Sequence, residues 1–408
     1  MRSVAASAAL LVGLGTVSCG DSPEGGTGVD AFVEPSGPLF LVGGVTISTE
    51  GRNGYGVLVP ALNDDREVRL EDAISVPGQP AIAASPNRNG RFYVGLDESP
   101  VVQAYEANVD GSAQLIDELS FAPFGASAAS GPLVVPNDER AYVFDLNMLS
   151  MYVFDPQRME LIEAVDLDVN TPPGGSHNFS FPARDDERIL LAINTFRADG
   201  TAAPRSRMAF IDTRTSAVTY ADIEGCGRLG WSAKDAEGNL YFATHPAQAG
   251  LVFGGLAGDP AAPPCMASVA RGTATFRPGF VDLAELAGAP AGGLAQGPDG
   301  TAYILVFDDE ATPVTEANGD TLSLSLGWTY VQVDLAAERL LEPLAALGEG
   351  VGVPIDFSVD EGDGDVTPFI VTIGPLFSSG TIYDVSQPDV PVARLTIPGI
   401  PFGALRLR

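Results

Sequence analysis

Two histidines, His177 in GGSHNF and His245 in ATHPA, stand in a chain of 408 residues. Imidazole titrates near neutral pH and is the commonest nitrogen ligand of metals, so the pair suggests a polar pocket or a metal site. Two rings with no fixed third ligand specify no metal, and the plain alternative is that each caps its own strand or turn. Asp308, Asp309 and Glu310 would supply carboxylates to such a site; otherwise the run is a solvated loop. The segment 360–365, DEGDGD, has the oxygen donors of a calcium loop. Gly362 and Gly364 break the alternate acid spacing that such a loop needs, which leaves an acidic hairpin. Gly-x-Ser-x-Gly, His-Glu-x-x-His, a phosphate loop and Cys-x-x-Cys are all missing from the sequence. A Ser-His-acid set would have to use His177 or His245, and no nucleophile is marked beside either. The expectation is a binding protein rather than an enzyme, without a cofactor, although repeats can gather a site from separated strands.

What must position these residues is a repeat of a turn followed by an aromatic strand. Its copies are EGRNGYGVLV (50–59), SPNRNGRFYVGL (85–96), PNDERAYVF (136–144), ARDDERILLAI (183–193), DAEGNLYFAT (235–244), GPDGTAYILVF (297–307) and DEGDGDVTPFIVTI (360–373). Tyr93, Tyr142, Tyr241 and Tyr303 sit at matching depth after the turn. Most copies are followed by a β-rich run that often ends in Asp, a polar turn and another apolar run, as in MYVFDPQRMELIEAVDL (151–167). Four short strands per unit, in seven units, predict an all-β fold: a single seven-bladed β-propeller, each sheet burying its faces against its neighbours. The blades are expected at 40–78, 79–124, 127–171, 175–224, 226–287, 291–347 and 352–400. The tail 401–408 is expected to pair with 39–43 and close the ring. Pro and Gly interrupt nearly every helical window, and a β-sandwich is the main rival.

Strand order then assigns faces. The quoted turns join first to second strands and are tight, so one face is plain. Asn-Gly and Asp-Gly at 53–54, 89–90 and 299–300 are hairpin signals. Second-to-third connections lie on the other face, and three are expected to be long: 195–207, 244–266 and 308–327. Insertions confined to one face mark the binding face of a repeat protein. Both histidines fall there, which makes His177, His245, Asp308 and Asp309 the candidate binding residues.

The chain carries 53 acidic and 22 basic residues, a net charge of −31, and its basic residues are scattered in sequence. Nucleic acid is excluded as a partner by repulsion, and positive mean hydropathy excludes disorder for most of the length. Residues 1–18 read as an export signal: Arg2, an apolar run from 4 to 14, then small residues before Cys19. The small residues followed by Cys19 resemble a bacterial lipoprotein cleavage site, with Thr16 where that pattern favours Leu. The Gly, Pro and acid-rich segment 19–38 reads as a tether, and 39–408 as the propeller. With Cys19 given to lipid, Cys226 and Cys265 remain as a disulfide in an oxidising compartment. Blade 5 places both at one end of the same sheet.

Several of these pieces together resemble a group of exported β-propeller lipoproteins of myxobacteria, associated with myxochelin siderophore and iron uptake. The resemblance rests on VSCGDSPEGG, on NGYGVLV, on PNDERAYVFDLNMLSMYVFDP (136–156), and on GGSHNFSFPARDDERILLAINTF and AEGNLYFATHP. It spans nearly the whole mature chain and carries no binding residues over. The expectation is a monomeric envelope lipoprotein, membrane-bound only through its anchor, and Gly20 rather than Asp after Cys19 favours the outer membrane. Its propeller would bind a ligand or an envelope protein, as an accessory to iron-siderophore acquisition. The alternative is an exported propeller hydrolase or lactonase with a metal in the axial channel.

Overall fold

A computed structural model describes residues 37–408 except 49–50, 63–67, 69, 109–110, 130, 146, 170, 186 and 361–365. The signal, Cys19, the tether up to 36 and most of the DEGDGD segment lie outside the described residues.

Seven antiparallel sheets follow one another along the chain, and the fold is a seven-bladed β-propeller. Blades 2 to 7 are built from consecutive strands: 81–120, 133–166, 176–224, 229–282, 291–351 and 356–398. Blade 1 is composite. Its inner strand is Ile400–Arg406 at the C-terminus, paired to Phe40–Ser48, with Gly51–Val59 and Ile74–Pro77 outside them. Phe40 faces Arg406 and Val42 faces Ala404, which is the ring closure expected of the tail. That closure shifts the phase of the first repeat. Phe40–Ser48 and Gly51–Val59, which flank the first copy's turn residues, are second and third strands, not first and second as in the other copies. Asn53-Gly54 is also no hairpin: both residues lie inside Gly51–Val59, where a Cβ on Gly54 would stand 2.0 Å from Pro80 Cδ.

The packing explains why the strands do not read as simple alternations. A sheet standing radially is covered on both faces, so its middle strands are buried on both and apolar but for their ends, as in Ala141–Asp145 and Ser150–Asp155. The outermost strand of the same blade, Glu160–Asp166, alternates between exposed and half-buried. Seven hydrophobic clusters each join two neighbouring blades, among them Phe121, Tyr152 and Phe154 between blades 2 and 3. The seventh, with Leu41, Leu407 and Phe92, seals blade 1 against blade 2 and leaves no open end.

The repeated tyrosines and aspartates have defined jobs in this ring. Tyr93 donates to Pro156 O at 2.9 Å and Tyr142 to Thr213 O at 3.1 Å, each reaching into the next blade. The Asp that ends a third strand accepts the backbone N–H groups of its turn: Asp155 from Gln157 and Arg158, Asp212 from Arg214 and Thr215, Asp334 from Ala337. The carboxylates noticed in the repeat are turn caps.

Two of the three expected long connections are present. Residues 245–264 carry the helix Pro246–Phe253, and 308–325 end in a 3-10 turn at Leu322–Leu324. The third is not a loop. Strands Arg188–Phe196 and Ala202–Asp212 simply run on past the blade, with Asn194 paired to Ser206, so 195–207 is a hairpin with a short turn. Among the described residues no helix is long and apolar enough to cross a membrane.

Candidate functional site

His177 opens the inner strand Ser176–Phe179 and is buried, with Nε2 3.0 Å from Thr171 Oγ1 and Nδ1 3.3 Å from Thr195 Oγ1. Burial lowers its pKa, so the ring is neutral at pH 7. His245 precedes the helix Pro246–Phe253, and its Nδ1 accepts the Ala247 N–H at 2.9 Å, as an N-cap. Its ring meets Trp231 edge-on at 4.8 Å, and Trp231 in turn packs on Phe181. Burial, and then the Arg228 charge, push the His245 pKa down to about 3. Asp308 caps its own loop through the Ala311 N–H, and no hydrogen bond joins it or Asp309 to either histidine. The histidines and the two aspartates therefore occupy the face expected of them, but each histidine and Asp308 is spent on a local partner.

The role of His245 is testable by melting. His245→Ala removes a cap worth ~1 kcal/mol and an aromatic contact worth ~1 kcal/mol, and should lower the melting temperature. His245→Asn keeps a capping oxygen and should recover about half of the loss. An alanine variant that melts with the wild type would refute the cap. Because the folded pKa lies below the free value of 6.5, the ring's stabilising neutrality is full above pH 6.5 and fades as the pH falls towards 3.

The disulfide is formed as expected. Cys226, just before the inner strand Leu229–Lys234, is bonded to Cys265 at the head of the third strand, with Cα atoms 5.7 Å apart. It ties the C-terminal end of the 245–264 connection to the segment that enters the inner strand. A cleft of about 220 Å³ on the same face holds Asp145, whose carboxylate is consumed by the N–H groups of Ser127, Ala128, Asn147 and Met148.

The larger cavity, about 360 Å³, lies on the axis at the other face. Inner strands of five blades wall it: Ile82–Ser85 and the turn with Arg88, Leu133–Val135, Arg184, Ser358–Val359 and Ala404–Arg406. Each contribution comes from the end of an inner strand, where the tight turns gather three guanidinium groups around mostly apolar walls. Arg88 stands at a left-handed turn position, φ 52°, and the Arg406 Nε–H donates to Arg408 O at 2.7 Å. The Arg184 side chain makes no hydrogen bond or ion pair among the described residues, while its backbone pairs with Ile189; the carboxylate beside it, Asp185, is taken by Arg188 Nε at 3.0 Å. Arg184 is exposed to solvent; partial loss of hydration lowers its pKa, the Asp185 charge opposing. Ser85 Oγ, on the same wall, is buried without a hydrogen-bond partner.

Asp356 stands further along one of these inner strands and does not itself line the cavity. It shares an inner strand with Ser358 in unbroken register, so the two side chains emerge on one face about 7 Å apart along the strand. Its Oδ2 accepts the Gln296 N–H from blade 6 at 2.8 Å. Burial pushes the carboxyl up to about 7, the Gln296 N–H holding it back, and its charge helps raise Tyr330 beside it. Among the described residues no three His, Cys, Asp or Glu side chains gather in a metal-binding group.

Sequence reasoning missed these residues because it treated the basic side chains as scattered, which they are along the chain. The signal was present: Arg88, Arg184 and Arg406 each stand at or beside the end of an inner strand.

No family model matches this chain, and no curated protein does. Solved structures match over its whole propeller. A Bacteroides fragilis protein described as a candidate 6-phosphogluconolactonase has a TM-score of 0.54 at 13% identity, over 92% of this chain and 99% of the other. A Lactobacillus plantarum protein gives 0.54 at 12% identity, over 91% and 99%. The periplasmic gluconolactonase of Pseudomonas aeruginosa gives 0.51 at 14%, also over 91% and 99%. At such identities the likeness is one of fold.

Proposed function

We propose that this chain is an exported β-propeller hydrolase that opens the ring of a sugar-acid lactone at its axial cavity. One observation carries the reading over siderophore binding: Asp356, on the cavity's own strand, has a carboxyl held near pH 7 by burial, which is where a general base works best. That two neighbours of the same fold are named for lactonase activity supports it.

Ring opening asks for little. The Asp356 carboxylate takes a proton from water as the water oxygen bonds to the lactone carbonyl carbon. The oxyanion that forms on the carbonyl oxygen is stabilised by the cationic wall. The ring C–O bond then breaks, the proton passes from Asp356 to the leaving alkoxide, and a hydroxy acid departs.

Acid release from glucono-1,5-lactone, followed in a pH-stat with the mature chain, tests this. The expected result is turnover above the spontaneous rate, rising with pH through about 7 because the base must be ionised. A rate equal to spontaneous opening at every pH would overturn the proposal.

A further inference from the structure

Phe181 is 59% exposed in the innermost segment of blade 4, between Ser176–Phe179 and Ala183–Arg184. A bulge puts it there. The Ser180 N–H donates to Ala192 O at 2.8 Å and Ala183 faces Leu190, so Phe181 and Pro182 together stand opposite Leu191 alone. Pro182 has no N–H to give the ladder, and the Phe181 N–H leaves the blade, donating to Gly230 O of blade 5 at 3.2 Å. Gly230 is itself the extra residue of a second bulge, since Leu229 faces Thr244 while Trp231 faces Ala243. Two linked bulges on neighbouring inner strands thus set Phe181 against Trp231, ring centres 5.8 Å apart. Trp231 is buried in one cluster with Ala291 and Leu294 of blade 6, and His245 meets its ring edge-on, so the ring beside Phe181 is fixed. Clusters with blades 3 and 5 cover both faces of blade 4, and an innermost residue that keeps exposed surface therefore opens on the axis. The same segment walls the cleft on the histidine face through Asn178 and the cavity at the other face through Arg184. Phe181 stands between them, about 10 Å along the chain from each.

From this geometry we propose that Phe181, backed by Trp231, is a stacking platform in the axial channel, on which the ring of an uncharged sugar lactone lies by its apolar C–H face while Asn178 serves its hydroxyls. The inference deepens the hydrolase reading, on which it rests for the sugar class, by placing the hold on the substrate ring at blades 4 and 5. An aromatic face and an amide on one segment suit a pyranose, which has apolar faces and a rim of hydroxyls. A ladder interrupted so as to present an aromatic ring to water does nothing for the blade's own packing, and a flat ligand ring would cover the apolar area left open.

Titration of the mature chain with D-glucose, a stable pyranose, followed by tryptophan fluorescence, tests the platform. The chain has two tryptophans, and Trp328 is 1% exposed in blade 6, so a saturable change reports on Trp231. Phe181→Ala should weaken glucose binding by about fivefold to tenfold, the worth of one aromatic stacking contact, and Phe181→Tyr should keep it. The link from Phe181 to Gly230 is made by backbone atoms, so both variants should melt close to the wild type. If the alanine variant melts far lower, Phe181→Leu keeps the bulk without the flat face and should still bind weakly. No saturable change with glucose, or an affinity unchanged in Phe181→Ala or Phe181→Leu, would overturn the platform. Failure of the hydrolase reading looks different: glucose binds and responds to Phe181, while glucono-1,5-lactone opens only at its spontaneous rate.

Discussion

Replacing Asp356 with Asn should lower lactone turnover by about a hundredfold to ten-thousandfold while the protein stays folded, because a carboxamide keeps the shape of the group and loses its basicity. The Asn side-chain oxygen can still accept the Gln296 N–H that Oδ2 accepts now, so the link between blades 6 and 7 survives. What disappears is the ionisable oxygen of Asp356 itself. The same substitution has a signature in stability. The folded pKa of about 7 lies above the free value of 3.8, so the folded state holds a proton between those limits that the unfolded chain has released. Stability from this group is therefore full below pH 3.8 and lost as the pH rises through 7, by about 4 kcal/mol in all. His245 acts in the opposite sense between pH 3 and 6.5, so the wild type shows little slope over their common range. Asp356→Asn should uncover the His245 slope, with stability now climbing from pH 4 to 6.5 and staying flat above. Unchanged turnover in the variant would remove Asp356 from the chemistry; lost turnover together with a collapsed melting transition would show a structural role alone.

The propeller was legible in the sequence because its physics is local and repeated. A turn that needs Asn, Asp or Gly, a strand that needs Tyr or Phe to reach the next blade, and an Asp that caps the following turn each leave their mark within about ten residues. Tyr93, Tyr142, Asp155 and Asp212 all keep the places that the repeat gave them. The closing strand was legible too, since the tail continues the apolar pattern beyond the seventh turn. Its effect on blade 1 was not: once Ile400–Arg406 takes the inner position, every strand of that blade moves outward by one, and the first repeat changes face. The hairpin at 195–207 was misread because its strands overrun the blade, and Ala202, Pro204 and Gly200 look like loop residues in isolation. The site was hardest to see. Radial symmetry brings together residues that are distant in sequence, and an arginine at a strand end has no local pattern that sets it apart from a solvated one. The histidines drew notice by rarity alone, and the structure gives them helix-capping and threonine-bonding roles that a rare residue fills as well as a common one.

Removing the disulfide should cost the protein about 4 kcal/mol without undoing the blade that holds it. Cys226 and Cys265 are 39 residues apart, and closing a loop of that size restricts the unfolded chain by about that amount in the chain-entropy account. The folded side of the balance changes little. Thr244 Oγ1 accepts the Cys265 N–H at 2.9 Å and donates to Cys265 O at 3.0 Å, so the third strand of blade 5 keeps its place when the sulfur link is gone. Four ladder pairs, from Leu240 with Val269 to Ala243 with Met266, hold the rest of it. The reduced protein, or Cys226→Ala with Cys265→Ala, is thus expected to keep its far-ultraviolet spectrum and to melt about 5 °C lower, given the large unfolding entropy of a domain of this size. The axial cavity lies at the other face from the bond, so lactone turnover should persist in the reduced protein. Two titratable thiols in the unreduced, denatured chain would show that the bond is not made, and equal melting with and without reductant would show that the 245–264 connection is held by Thr244 and the ladder alone.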